Sequence, residues 1–169
     1  MSADAVGRDP RLVAERRGGL LSDADHRLLA LWAADCADRV IWVFTAADPR
    51  DDRPGAAVEL ARRWAAGEAT VAEARAAAVA AHAAARGANG GARFAARAAG
   101  HAVATAHMAD HALGAAYYAL LALRAEHPED GSVLDAERRW QRAAVPAAIA
   151  DLVRDDMRLR AAKFQGIFG

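Results

Sequence analysis

Two histidines four residues apart, His107 and His111, come closest in this chain to a spacing that does chemistry. On a helix they share a face. Two neutral imidazoles so placed can hold one zinc ion. A zinc protease needs a glutamate directly after the first histidine, and Met108 stands there instead. His101 lies two turns earlier, about a third of the helix circumference away. Asp110 flanks the pair. His82, on the preceding helix, approaches if the two helices pack antiparallel. A metal site drawn from His82, His107 and His111, or from two histidines and Asp110, is therefore geometrically open. The competing reading needs no metal: a histidine on an alanine seam hydrogen-bonds across to the neighbouring helix, because buried polar groups are satisfied within the fold. A small-molecule pocket is the third reading. No cofactor is required by any strong motif, and zinc is the alternative.

A second polar group is Asp35, Cys36 and Arg39. Asp35 and Arg39 are four apart and can pair along a helix. They read either as a solvated stripe or as a polar patch offered to a partner. Cys36 is the only cysteine, which excludes an intrachain disulfide. A carboxylate beside it raises rather than lowers a thiol pKa, so a small core residue is the better reading than a nucleophile. Together with His101 and Asp110, these residues are candidates for a polar core or pocket. There is no nucleophile elbow, P-loop, dinucleotide fingerprint or paired C-x-x-C. Gly87–Gly91 has no Lys-Ser or Lys-Thr after it, so it is a loop. No catalytic residue emerges, and the expectation is a protein that is not an enzyme.

The elements that must position these residues are helices. The stretch from Gly100 to Ala125 carries a seam at Gly100, Ala104, His107, His111, Gly114, Tyr118, Leu121 and Ala125, stepping by three and four. It predicts one helix from about Ala92 to before Pro128, bent near Gly100, whose small residues face another helix. Upstream, Ser22 or Asp23 caps a helix through about Phe44. Pro54 sits in the first turn of the next, which runs to about Ala66. Its buried face is Ala57, Leu60, Ala61 and Trp64; Glu59, Arg62 and Arg63 face solvent. Thr70 and Glu73 form a capping box for a helix carrying His82 to about Arg86. Downstream, a helix starts at Ser132 and ends near Ala144. Pro146 kinks or restarts it, and a final helix runs to about Arg160. The apolar tail at Phe164, Ile167 and Phe168 either folds back or serves as a docking strip. No segment alternates as a strand does. The prediction is one all-α domain of five to six alanine-rich helices over residues 20–169. A loose segment precedes it over 1–19, with a short turn at Arg11–Arg17.

The 169 residues are enough for one core. Hydrophobic residues make up 54% of the chain, but much of that is alanine. The four tryptophans and four phenylalanines are therefore expected to supply the bulk. Net charge is zero, which gives a nucleic-acid partner no electrostatic support. Nothing reads as a signal peptide or membrane span, so a cytoplasmic location is expected. Lys163 is the only lysine. With so much alanine, this fits a GC-rich bacterial coding sequence.

The segments LLALWAADCADRV, RRWAAGEATVAEARAAAVAAHAAAR, AARAAGHAVATAHMADHALGAAYYALLA and LVRDDMRLRAAKFQG together resemble the Imm-5-like immunity proteins. These are small all-helical bacterial proteins. The resemblance extends from about Leu20 to Gly169. It takes in Asp35, Cys36, Arg39, Trp64, His82, His101, His107, Asp110 and His111. It implies neutralisation of a cognate protein toxin by binding, and it brings no defined catalytic residues. The toxin, its binding surface and the oligomeric state are left open by the sequence.

Overall fold

In the computed structural model, which describes residues 9–169, Ser22 opens the first long helix. Its hydroxyl accepts from the Asp25 N–H, an amide that a helix start leaves without a backbone partner. Helix α1 spans Asp23–Asp38 and α2 spans Ile41–Ala47. The single helix expected through Phe44 is thus broken at Arg39 and Val40. There the ladder tightens, the Val40 N–H bonding to the Ala37 carbonyl three residues back. Arg39 pairs with Glu137, far along the chain.

Helix α3, Arg53–Ala65, has Pro54 in its first turn, as expected. The Thr70–Glu73 capping box heads α4, Val71–Gly87. Helix α5 spans Gly90–Ala104 and α6 spans His111–Glu126. These two replace the one long helix predicted from the seam. Residues 105–110 turn the chain back, and α6 runs antiparallel to α5, with Tyr118 stacking on both His101 and Phe94.

A long-range contact accompanies that break. The Thr105 carbonyl accepts a 2.6 Å hydrogen bond from Nε2 of His26 on α1. It is therefore occupied by a side chain where a continuing helix would use it. The Thr105 hydroxyl donates back to the His101 carbonyl. The Ala106 and His107 N–H groups bond three residues back, as in a closing turn.

Helix α7 spans Gly131–Ala143. A 3₁₀ turn at Ala147–Ile149 follows Pro146 and leads into α8, Ala150–Leu159. The fold is all-α and has eight α-helices among the described residues, more than the five to six expected. The two unexpected breaks account for much of the difference.

Helix α5 is the centre, packed against α1, α2, α3, α4 and α6. Ala95, Ala96, Ala98, Ala99 and Ala102 on it are fully buried, which lets several helices approach one axis closely. The bulk comes from Trp32, Leu29, Leu113 and Leu120 more than from the tryptophans as a set; Trp42 is 50% exposed.

Residues 1–8 of the expected loose segment lie outside the described residues. Residues 9–19 are not loose. Leu12 and Ala14 are buried, Arg11 pairs with Asp155 of α8, and Ala14 forms an isolated bridge to Leu21. At the other end the tail folds back: Phe164, Ile167 and Phe168 are buried, and Arg138 donates to the Ile167 carbonyl. No helix among the described residues is long and apolar enough to cross a membrane.

Candidate functional site

Helices α4, α5 and α6 bring four histidines into a row. His82 of α4 meets His101 of α5 edge to face, ring centroids 5.3 Å apart. His101 meets His111 at the start of α6, centroids at 5.1 Å and Nδ1 to Nδ1 at 3.1 Å. His111 meets His107 at 5.4 Å. Because α5 and α6 are separate helices, His107 lies in the turn and His111 heads the next helix. Their proximity comes from the turn, not from one helical face.

Two glycines make room for the rings. A Cβ on Gly100 would lie 2.7 Å from Cε1 of His82, and one on Gly114 would lie 2.5 Å from Nδ1 of His101. The small residues thus face other helices, as expected, though from two antiparallel helices.

His101 is one of the two inner members of the row, between His82 and His111. It was placed only in the polar-pocket group by the sequence, a third of a turn off the seam. His82, His107 and His111, the candidate metal set, do not converge on one point: His101 stands between His82 and His111. Among the described residues no group of three or more His, Cys, Asp or Glu side chains is arranged to hold a metal ion.

Burial holds all of these rings neutral. His101 is pushed down to about 3, first by desolvation and then by His111 and His82 beside it. His82, His107 and His111 are lowered as well, again mainly by desolvation. His26 is lowered for the same reason, and its bond to a carbonyl fixes the proton on Nε2.

His101 and His111 line a groove of about 380 Å³ between α6 and the chain after α8. Tyr117, Tyr118 and Phe164 give it aromatic walls, and Arg160 and Lys163 give it positive charge. Arg160 pairs with the buried Asp156 and donates to the Asp110 carbonyl, tying α8 to the start of α6.

The second polar group is elsewhere. Asp35 does not pair with Arg39; it accepts from Arg62 of α3 at 3.0 Å, as Asp38 does at 3.1 Å. Arg39 instead donates to Glu137 of α7 at 2.8 Å and lies over the Trp140 ring at 4.0 Å. Cys36 is fully buried, and burial, with Glu137 and Asp35 adding to it, pushes its thiol well up. It is packed as a core residue and not poised as a nucleophile.

Sequence reasoning missed Glu137, Gln141 and His26. Glu137 is 2% exposed and Gln141 1%. The Gln141 side-chain amide donates to the Ala116 carbonyl, and the Gln141 backbone carbonyl accepts from the Trp32 indole. The signal was there: Leu134, Glu137 and Gln141 step by three and four, which puts two polar residues on the inward face of α7.

No curated protein and no solved structure matches the chain. A family profile does match, over residues 19–148, which takes in the histidine row and ends before α8. By that match the chain belongs to the Imm-5 like putative immunity protein family.

Proposed function

We propose that this protein neutralises a cognate bacterial toxin by binding it directly, in the cytoplasm, covering the toxin's active site or a surface the toxin needs. The family match over residues 19–148 is the observation that carries this reading. The architecture is consistent with it. A body built on a close-packed alanine centre, with its N-terminal segment and C-terminal tail folded onto it, is a rigid scaffold for a docking surface. Such an action needs no turnover of substrate and no cofactor.

The test is co-expression with the toxin encoded beside it. Cells carrying both survive, cells carrying the toxin alone do not, and the two proteins elute together on a sizing column. Survival that does not depend on this protein, with no complex on the column, would sink the proposal.

A further inference from the structure

The groove between α6 and the chain after α8 has an aromatic wall and a positive rim. Tyr118 meets Tyr117 with ring centroids 5.0 Å apart, and Tyr117 meets Phe164 at 4.9 Å, so three rings run on without a break. The Arg160 guanidinium and the Lys163 ammonium both lie by the Phe164 ring, at 5.2 and 5.7 Å from its centroid. Arg97 lies 5.7 Å from the Tyr118 centroid.

We propose that this groove binds a small planar aromatic carboxylate, its ring against Tyr117, Tyr118 and Phe164 and its carboxylate toward Lys163.

Size sets the class of occupant. A groove of about 380 Å³ is in the range of small-molecule pockets, whereas a stable protein partner covers roughly 800 Å² of a surface. The contiguous rings favour a flat ligand, because aromatic rings in contact gain more than the area they bury.

Charge selects the anion. Arg160, Lys163 and Arg97 stand against two carboxylates, Asp110 in the lining and Asp156 paired with Arg160, which leaves an excess of one positive charge. A monoanion cancels that excess, and a phosphate dianion would overshoot it. His101 and His111 add no charge, since burial holds both rings neutral.

The two lining cations have different tasks. Arg160 is committed to the protein: it donates to the Asp156 carboxylate and to the Asp110 carbonyl, which fixes one side of the groove. Lys163 is exposed, and no carboxylate among the described residues pairs with it. Its ammonium is thus available to a ligand without breaking a bond already made.

The experiment uses the full chain. Lys163 is the only lysine, so protein labelled with ¹⁵N-lysine gives a single lysine amide signal next to the groove. The probes are naphthoate, its uncharged amide naphthamide, and acetate, which has the charge without the ring. Naphthoate moves the Lys163 signal saturably, with half-saturation at or below about 1 mM, the affinity that about a dozen heavy atoms supply at ordinary ligand efficiency. Equilibrium dialysis finds one naphthoate bound per chain. Naphthamide binds about tenfold more weakly, the loss expected for one charge-assisted contact, and acetate leaves the signal in place. Lys163→Met weakens naphthoate binding about tenfold by dialysis. Arg124→Gln, which removes a positive charge from the exposed end of α6, changes nothing.

A signal that does not saturate, or no naphthoate retained in dialysis at about 1 mM, overturns the proposal. So does equal binding of naphthamide, which would make the groove merely apolar, or an equal response to acetate, which would reduce it to a surface lysine attracting ions. Equal weakening by Lys163→Met and Arg124→Gln would trace the effect to net charge and overturn it as well. A Lys163 signal that moves on dilution without any probe would give the groove to a second copy of the chain instead. No toxin enters this experiment, so its outcome is independent of the immunity reading.

Discussion

Gly114 of α6 lies against the ring of His101 on α5, so closely that a Cβ there would stand 2.5 Å from Nδ1 and 3.0 Å from Cγ. The ring has nowhere to retreat, with Tyr118 on one side and His82 and His111 at its edges. Gly114→Leu should therefore destabilise the fold by about 1–3 kcal/mol through overpacking. Gly100 makes a useful contrast. A Cβ there would crowd His82, but His82 is only half-buried and can rotate outward. Gly100→Ala also gains helix propensity of about 1 kcal/mol, so it should be close to neutral. Urea midpoints decide this; a clear loss for Gly100→Ala would mean that His82 is held in place rather than free to move aside.

Arg62 is not the idle solvent-facing residue that the helix pattern suggests. Its guanidinium reaches Asp35, Asp38 and Glu59 at 3.0, 3.1 and 3.0 Å and joins α1 to α3. The pattern alone predicts a cost within about 0.5 kcal/mol for Arg62→Leu. The structure raises the expectation to about 1 kcal/mol, because three carboxylates lose a shared cation and are left facing one another. The cost should shrink at high ionic strength, since these side chains are partly solvated. A cost that does not change with salt would assign it to lost packing instead.

Glu137 tests the other side of α1. It is buried, and Arg39 is its cation at 2.8 Å. Arg39→Ala strands a buried carboxylate and removes the stack on Trp140, so it should cost about 2–4 kcal/mol. Replacing both partners, as Arg39→Met with Glu137→Met, should cost less than Arg39→Ala alone, because no charge is then left buried. A double-mutant cycle by urea denaturation measures the coupling. Independent, additive effects would show that the pair is ornamental.

The helices themselves were readable because their signals are local. The Ser22 cap, Pro54 in a first turn and the Thr70–Glu73 box each act within four residues, and each is found where the sequence puts it. The turn at 105–110 was not readable. Helix propensity continues through ATAHMA, and one thing that sets the break apart is a hydrogen bond from His26, 79 residues away. The candidate site inherited that error. With one helix, His107 and His111 share a face and His101 points aside; with two, α6 folds over α5 and His101 comes to lie between His82 and His111. The Asp35–Arg39 pair failed for a similar reason. Each side chain had a partner on another helix, and local spacing carries no information about those.

The buried imidazoles make stability depend on pH. His26, His82, His107 and His111 all have lowered pKa values, and His101 falls to about 3, in each case mainly through desolvation. In the unfolded chain these rings take up protons as pH falls through about 6.5. In the native state they do so only lower. The unfolded state therefore binds more protons in this window, and stability rises with pH. The stabilisation is complete above about pH 6.5 and is lost as pH falls through the lowered native values, for His101 as far as about 3. The urea midpoint should drop between about pH 7.5 and 5, before unperturbed carboxylates begin to titrate. His26 should carry a visible share. A charged ring there would sit in a buried site near Arg16 and Arg17, which the Thr105 carbonyl and Asp23 offset in part. His26→Gln should thus lower stability near pH 7.5 yet lose less on acidification, since glutamine does not titrate and still offers an N–H to the Thr105 carbonyl. A wild-type midpoint that stays flat from about pH 7.5 to 5 would mean that these rings are solvated in the native state, and the packed histidine row would have to be given up.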